Sequence, residues 1–292
     1  MIAVAIVAVS FASIFIRWSE SPPLVIAAYR LTFATLILVP FAAVRAREEL
    51  KHLARRDLIL MVAVGGALAA HFGLWITSLK VPGVSVASSV VLVTSHPILV
   101  AVVSHFYLKE KVGAITAAGV VVGFSGVVLI GVGEYRLSVE ALGGALLAFS
   151  GGVMAGVYLL AGRRFRQRIS VLTYALIVYA SAAFFLVFAA TVTDGMRPSG
   201  DLSRELLLFL ALAVVSQIGG HTLYNWSLKY VTATVVSVSL VGEPMLSSLL
   251  AWMLLGEVPT QLVAVGAIAA MAGIYMTARG EYASARKREV LT

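Results

Sequence analysis

The chain has 292 residues, of which 60% are hydrophobic and only 12% are charged, and its formal net charge is +8. Soluble domains carry roughly 25% charged residues, so this composition excludes a soluble globular fold. The lack of cysteine excludes disulfides, thiol catalysis and cysteine-ligated metal sites. The cations fall between apolar runs and form no surface of interleaved basic and aromatic residues, so we expect no nucleic-acid partner.

Ten apolar runs follow one another along the chain, and most are long enough to cross a bilayer core of about 30 Å as helices. They are residues 2–16, 24–44, 58–79, 82–108, 112–132, 141–162, 171–193, 206–228, 231–255 and 260–278. The first run has no basic leader and no small-residue cleavage site, which favours a retained span over a signal peptide. We therefore predict an all-α polytopic membrane protein with ten transmembrane helices and short connections.

Two stretches of the chain share one layout, which indicates an internal duplication. Pro97 and Pro244 interrupt corresponding spans and lie 147 residues apart. Glu110 and Glu257 close the same two spans and have the same separation. The predicted domains are two five-helix repeats, residues 1–135 and 136–279, and a basic cytoplasmic tail, residues 280–292.

Lysine and arginine are distributed unequally between the two sides of the predicted membrane. With the N-terminus inside, sixteen lie in cytoplasmic segments, five lie on the opposite side, and Arg30 lies within a span. Because cations are enriched in cytoplasmic loops, we predict a cell-membrane protein with both termini in the cytoplasm. An odd number of spans in each half turns the second half over relative to the first. This is the inverted repeat of secondary transporters, whose ligand site lies near the midplane between the halves.

Polar side chains recur at four-residue spacing in the third and eighth spans, which places them on one face of each helix. In the third span these residues are His71 and Trp75. In the eighth span they are Gln217, His221, Tyr224 and Asn225. We interpret the two faces as matching walls of one cavity. The alternative is that each histidine bonds a neighbouring helix and only fixes the packing.

Glu243 is expected near the middle of the bilayer, since it follows the start of the ninth span by about 18 Å of helical rise. Ser239 lies four residues earlier on the same stripe, and His96 occupies the matching position of the fourth span. A carboxylate at this depth must be neutralised or paired. Glu243 therefore either exchanges a proton or binds an amine during transport, or forms a structural pair with Arg30 or a histidine.

Three further residues are candidates for the cavity. Arg30 lies about 9 Å into the second span and keeps its charge, so it is either a structural arginine near the outer edge or an anion contact or outer gate. Tyr158 continues a stripe on the sixth span that begins with Ser150 and Met154. Ser10 lies in the middle of the first span.

One stretch has the pattern of an enzyme motif. Residues 123–126 read GFSG, resembling the serine motif of rhomboid intramembrane proteases, whose hydroxyl needs a histidine base. The candidate base, His221, belongs to the other half, and glycines four apart, such as Gly119 and Gly123, are typical of close helix packing. The sequence has no HExxH zinc site, Walker loop or dinucleotide fingerprint. We expect no enzymatic activity and no cofactor.

The duplicated layout resembles the drug/metabolite transporter superfamily, specifically EamA-type carriers with ten helices. The resemblance is carried, in chain order, by AAYR ending at Arg30, residues 74–80, Pro97, LKE at 108–110, LYNWSLK at 223–229, EP at 243–244 and LGE at 255–257. It implies export of amino acids or other small metabolites. It also implies a central cavity lined by helices one, three, four, six, eight and nine.

We predict an alternating-access carrier that exports a small metabolite, with amino acids as candidate substrates and the proton as a candidate coupling ion. The predicted substrate-binding residues are Ser10, His71, Trp75, His96, Tyr158, Gln217, His221, Tyr224, Asn225 and Ser239. Glu243 and Arg30 are predicted to couple or gate transport. The expected partners are the lipid bilayer and the small-molecule substrate, and the sequence does not predict an oligomeric state. The alternative is a passive pore or a membrane-embedded binding protein.

Overall fold

The computed structural model of the protein describes residues 1–96, 98, 113–227, 229–230 and 242–291. Within these ranges the chain is helical, with short turns and connections and no strand. In the described part of the chain, seven helices are long and apolar enough to cross a membrane: Pro23–Arg45, Arg55–Lys80, Ala114–Leu137, Val139–Arg166, Val171–Asp194, Leu202–Ser227 and Gln261–Gly280. They coincide with seven of the predicted spans. The prediction of an all-helical chain with apolar helices of membrane-spanning length is therefore confirmed, and the count of ten helices stays a prediction.

The first half of the chain contains seven described helices. They are α1 (Ile2–Ser10), α2 (Ala12–Trp18), α3 (Pro23–Arg45), α4 (Arg47–Lys51), α5 (Arg55–Lys80), α6 (Val86–Val93) and α7 (Ala114–Leu137). α1 and α2 together form the first predicted span. Pro23 suits the first position of α3, because the N–H that proline lacks would have no partner there. The side chain of Ser85 caps α6 by accepting a hydrogen bond from the backbone N–H of Ser88.

The second half contains six described α-helices and one π-helical segment. They are α8 (Val139–Arg166), α9 (Val171–Asp194), α10 (Leu202–Ala211), the π-helical segment (Leu212–Thr222), α11 (Leu223–Ser227), α12 (Gly242–Leu255) and α13 (Gln261–Leu291). α8, α9 and α10 begin at the side-chain caps of Ser138, Ser170 and Asp201. Because α13 runs to Leu291, the basic tail continues the last helix without a break.

The two spans that contain the repeated prolines are only partly described. α6 ends at Val93 and is followed by a turn. The described part of the ninth span is α12, which contains Pro244. Pro97, Glu110 and the predicted site residue Ser239 lie outside the described residues.

The helix contacts come in pairs that match when the two halves are exchanged. The exchange pairs α5 with the π-helical segment and α8 with α1. Correspondingly, α5 packs on α8, and the π-helical segment packs on α1. α6 packs on α8 as α12 packs on α1, and α9 packs on α5 as α3 packs on the π-helical segment. Three further contacts each join a helix to its own counterpart in the other half: α7 with α13, α3 with α9 and α6 with α12. The contacts of α7 with α8 and of α3 with α5 have no comparable counterpart among the described residues, so the match between the halves is partial.

The contact between α7 and α13, the glycine seam, brings two backbones into direct contact. A Cβ atom added to Gly273 would lie 2.2 Å from the backbone nitrogen of Gly123. One added to Gly126 would lie 2.3 Å from the backbone nitrogen of Ala270. Only glycine fits at such distances, and small residues are what lets membrane helices approach this closely. The serine of the GFSG motif, Ser125, is exposed and donates to a carbonyl of its own helix, which supports the packing interpretation of the motif.

Candidate substrate site between the two halves

Arg30 of α3 is fully buried, with 0% of its surface exposed, and it joins the two halves. Its Nε donates a hydrogen bond to Oε1 of Gln217 at 2.9 Å. Its guanidinium carbon lies 4.0 Å from the centroid of the Phe72 ring. A desolvated cation–π contact of this kind contributes about 2 kcal/mol. The two terminal nitrogens, Nη1 and Nη2, have no hydrogen-bond partner among the described residues.

Gln217 and His221 come from the π-helical segment, which is 11 residues long. π-Helical turns are rare and occur frequently at functional sites. The segment is held against α1, because Ser216 Oγ donates to the Ala8 carbonyl at 3.1 Å. At Gly220 an added Cβ would lie 2.3 Å from a methyl group of Val9, so only glycine allows this approach. The irregular helix and its close neighbour thus fix the wall that carries Gln217.

Two histidines, one from each half, face each other across the site. The ring centroids of His71 and His221 are 6.2 Å apart. The ring of His71 also stacks on Trp75 at 6.1 Å. Nδ1 of His71 shares a hydrogen bond with the carbonyl of Gly151 on α8 at 3.0 Å. This bond supports the packing alternative for His71. His221 is partly exposed and lies 5.2 Å from Phe72 between ring centroids.

Asn225 and a group of buried tyrosines form the next layer of the site. Asn225 Nδ2 donates to the hydroxyl of Tyr158 and, at 2.8 Å, to the carbonyl of His221. The ring of Tyr158 lies 6.4 Å from that of Tyr174. The hydroxyl of Tyr179 shares a hydrogen bond of 3.1 Å with Thr222 at the end of the π-helical segment. This layer joins α8 and α9 to the helices that carry the polar cluster.

Glu243 lies in the first turn of α12 and is partly exposed. It interacts electrostatically with Arg30 and with Tyr224. The ion pairs within 4.0 Å in the described part of the chain lie elsewhere, so Glu243 and Arg30 are neighbours without direct contact. Ser10 Oγ lies 3.4 Å from the Glu243 carbonyl, and the Ser10 carbonyl accepts from Ser247 at 3.3 Å. Ser10 thus links α1 to α12.

The structure brings most of the predicted residues together. The predicted residues in direct mutual contact include Arg30 with Gln217, His71 with Trp75 and His221, Tyr158 with Asn225 and His221, Asn225 with His221, and Ser10 with Glu243. Tyr224 packs against α1 with its hydroxyl unpaired among the described residues, and it interacts with Glu243 across the α1–α12 contact. His96 is 5% exposed and interacts electrostatically with His71. Ser239 lies outside the described residues.

Several residues of the cluster are not predicted by the sequence. Phe72, Tyr174 and Thr222 lie in apolar runs where an aromatic ring or a single hydroxyl has no distinguishing pattern. Tyr179 differs from these, since the sequence offers it as an aromatic that could contact substrate: it lies well inside the seventh span, away from the interface where tyrosine usually anchors a helix. Arg166 counts as a loop cation in the sequence, but it is 3% exposed and donates to the Asn225 carbonyl at 3.0 Å.

A second polar cluster, which we call the outer latch, lies at the end of the bundle predicted to face outward. Arg17 of α2 forms an ion pair of 3.1 Å with Glu257, which follows α12. The other carboxylate oxygen of Glu257 accepts from the backbone N–H of Val86 at the start of α6, at 2.8 Å. Arg17 also donates to the Val84 carbonyl. The outer latch therefore ties α2, α6 and the end of α12 together.

Comparison with known proteins identifies related transporters over nearly the whole chain. The family model of the EamA-like transporter family matches residues 1–132 and 142–279. The uncharacterized transporter YdfC of Bacillus subtilis is 24% identical over 255 residues, which cover 86% of this chain and 80% of that protein. An uncharacterized transporter of Archaeoglobus fulgidus is 25% identical over 271 residues, which cover 92% of each chain. A solved crystal structure with 20% sequence identity has a TM-score of 0.63 over 94% of both chains and shares the fold.

Proposed function

This chain belongs to the EamA-like transporter family, and from that premise we propose that it is a secondary carrier that exports small metabolites by alternating access. Its place is the cell membrane, with both termini in the cytoplasm. The observation that carries the proposal is the direct bond between the halves in the buried centre, where Arg30 donates to Gln217 at 2.9 Å. Burying an ionisable group inside a membrane helix is energetically unfavourable. Such groups are therefore rare, and those present mark substrate and ion pathways.

The proposed architecture is ten helices in two inverted five-helix repeats. The matching of the helix contacts under exchange of the halves supports it. So does the match of the family model to two segments, residues 1–132 and 142–279. With five spans in each repeat, equivalent helices run in opposite directions across the membrane. A site at the contact between such repeats can open to either side as one repeat rocks against the other.

The proposed transport cycle uses Glu243 as the coupling group. Glu243 is partly exposed and interacts electrostatically with Arg30 without contacting it. Any change of charge or distance at Arg30 alters how strongly the carboxylate holds a proton, since an opposite charge nearby favours the ionised form. The outer latch supports a form that is closed on the predicted outer side. Opening of the outer latch would then expose the same site to the exterior.

Counterflow in proteoliposomes tests the carrier proposal directly. The purified full-length protein is reconstituted, and labelled members of a panel of amino acids, amines, nucleosides and sugars are offered against an internal pool of the same compound. A carrier gives saturable counterflow of at least one member. Ion conductance without saturation would identify a passive pore, and ligand binding without any flux would identify a membrane-embedded binding protein.

A further inference from the structure

Four arginines lie where α3 ends, α4 follows and α5 begins, and we call this group the arginine corner. Arg45 ends α3, Arg47 begins α4, and Arg55 and Arg56 begin α5. All four residues are exposed. Because α3 packs on both α4 and α5, the four residues lie at the same end of the bundle. The arginine corner is therefore one continuous patch of positive charge.

The acidic residues of the same connection are already engaged with other groups. Glu48 forms an ion pair of 2.7 Å within its own helix. Glu49 accepts hydrogen bonds from Ser170 at the start of α9, and the bond from the backbone N–H is 2.8 Å long. Asp57 pairs with Arg168 at 2.6 Å. The ion pairs within 4.0 Å among the described residues do not include the arginine corner, so its four charges have no carboxylate partner there.

The stability of the helices does not account for the position of these arginines. Arg55 and Arg56 lie in the first turn of α5, where the helix macrodipole favours anions over cations. α4 has five residues and buries none of them. The equivalent connection of the second half, residues 195–201 between α9 and α10, contains the single cation Arg197. The fold can thus connect these helices without a patch of four arginines.

Exposed apolar side chains lie directly next to the arginine corner, and we call them the apolar belt. Val44, which precedes Arg45, is 82% exposed, and Phe41, one helical turn earlier, is exposed as well. On α5 the apolar belt continues with the exposed residues Leu58 and Ile59. An exposed apolar surface of this kind marks contact with a membrane or a partner. Arginines beside an apolar belt match the boundary between lipid headgroups and acyl chains.

We propose that the arginine corner binds the headgroups of anionic phospholipids in the inner leaflet, with the apolar belt against their acyl chains. The inference rests on the proposed orientation, which places the arginine corner on the cytoplasmic side. Arginine forms paired hydrogen bonds with phosphate oxygens. Clusters of basic residues next to a membrane helix attract anionic lipids. The apolar belt favours a lipid over a soluble phosphate, because a soluble anion has no chain to place against Val44 and Ile59.

Titration of the purified full-length protein in detergent with two lipids tests the assignment. Dioleoyl phosphatidylglycerol and dioleoyl phosphatidylcholine share their acyl chains and differ in the net charge of the headgroup. Phosphatidylglycerol should raise the melting temperature at a concentration at least about tenfold lower than phosphatidylcholine, because a ligand stabilises the state it binds. The difference should disappear in 1 M salt, where the Debye length falls to about 3 Å. Glycerol 3-phosphate, which lacks the chains, should give no stabilisation at these concentrations.

Two double variants locate the binding surface. Arg45→Gln with Arg47→Gln removes two charges from the ends of α3 and α4, and Arg55→Gln with Arg56→Gln removes two from the start of α5. Each double variant should bind phosphatidylglycerol at least about tenfold more weakly, since one arginine near the membrane surface contributes about fivefold. Binding of phosphatidylcholine should stay unchanged.

The matched control is Arg136→Gln with Arg197→Gln, which removes the same charge at exposed positions on the predicted outer side and should bind both lipids like the wild type. An equal loss of phosphatidylglycerol binding in this control would reduce the effect to net charge and overturn the assignment. Equal affinity of the wild type for the two lipids would also overturn it, because the arginines would then serve only to orient the chain. So would stabilisation by glycerol 3-phosphate at the concentrations effective for the lipid.

The remaining outcomes also decide. If one double variant does not fold, the other double variant and the salt dependence of the wild type determine the result. Lipid binding is measured without any flux, so a lack of counterflow would overturn the carrier proposal and leave this assignment standing. Saturable counterflow together with equal binding of the two lipids would do the reverse.

Discussion

The glycine seam between α7 and α13 and the cluster around Arg30 are both buried, but the first is tightly packed and the second contains unpaired hydrogen-bond donors. In the glycine seam the backbones touch, and a Cβ atom on Gly273 would meet the Gly123 nitrogen at 2.2 Å. Around Arg30, three donors of Arg30 and Gln217 have no partner among the described residues. The first interface leaves no room for a ligand, whereas the second presents polar donors that the described residues do not pair.

The difference shows where this fold can move and where it is fixed. A contact between glycine backbones depends on packing over many atoms and tolerates little displacement. A polar cluster with unmade hydrogen bonds is unfavourable by itself and becomes favourable when a ligand or a proton arrives. We therefore assign α7 and α13 to the scaffold, and the surroundings of Arg30 and Glu243 to the working part.

Gly273→Ala, in the glycine seam, should disturb the protein more than any change near Arg30. The added methyl group would collide with the Gly123 backbone, so the helices must separate, at a cost of about 3 kcal/mol or more. Most of the protein should be lost as a monodisperse peak in size-exclusion chromatography. The control is Gly143→Ala, because nothing lies within 4 Å of an added Cβ at that glycine. Equal yields of the two variants would refute a tight seam.

Glu243→Gln should leave the fold intact and reduce transport. The amide has the shape of the carboxylate but cannot exchange a proton, so counterflow should fall by at least about tenfold and lose its dependence on pH. Glu20→Gln is a suitable control, since the Glu20 side chain is 60% exposed in its ion pair with Arg204. Full, pH-responsive transport by Glu243→Gln would rule out Glu243 as the coupling group and favour a structural role.

Breaking the outer latch should shift the balance between conformations by a smaller amount. The side chains of Arg17 and Glu257 are 21% and 24% exposed, so their ion pair is partly screened and worth about 1 kcal/mol. Arg17→Gln should raise the outward-open population about fivefold. The rate of labelling of a single His221→Cys thiol from outside measures this shift, and the natural chain has no cysteine to interfere. An unchanged rate would show that the latch does not hold the outer side closed.

Glu49 should give the smallest effect, on stability alone. Burial raises the pKa of Glu49, but hydrogen bonds from Ser170 and Thr173 at the start of α9 outweigh it and hold the pKa below its ordinary value. The folded state therefore favours the ionised carboxylate. Its contribution is complete above the unfolded pKa of about 4.3 and is lost as the pH falls through the lower folded value.

The measurement for Glu49 is the melting temperature of Glu49→Gln against the wild type at several pH values. At pH 7 the variant should melt about 2 °C lower, because a partly exposed carboxylate contributes little. The difference should vanish in acid below the folded pKa. A difference that grows as the pH falls would contradict the assigned sign.

Much of the fold followed from the sequence, because hydropathy and loop length control where membrane helices begin and end. The cluster of His71, Gln217, His221 and Asn225 also followed, since polar residues in apolar spans are rare and their spacing puts them on one face. The partner of Arg30 did not follow. The structural alternative for Glu243 is a pair with Arg30 or a histidine, but the structure bonds Arg30 to the neutral amide of Gln217 instead.

The missed features depend on tertiary contacts that local patterns do not contain. A π-helical segment has the same composition as an α-helix, so the sequence of Leu212–Thr222 does not predict its π-helical conformation. Tyr174 becomes part of the site only because α8 and α9 bring it to Tyr158, 6.4 Å away between ring centroids. Arg166 lies next to other loop cations in sequence, and only the fold buries it.

Accessibility of the centre from both sides of the membrane tests the central proposal most directly. In the naturally cysteine-free chain, His221→Cys provides a single thiol beside Arg30 and Phe72. Oriented membrane vesicles of both polarities are treated with a membrane-impermeant maleimide. We expect labelling from each side at a measurable rate, slowed by any ligand that binds the site. A thiol that reacts from neither side would show a sealed structural core and contradict a transport site at the junction of the two halves.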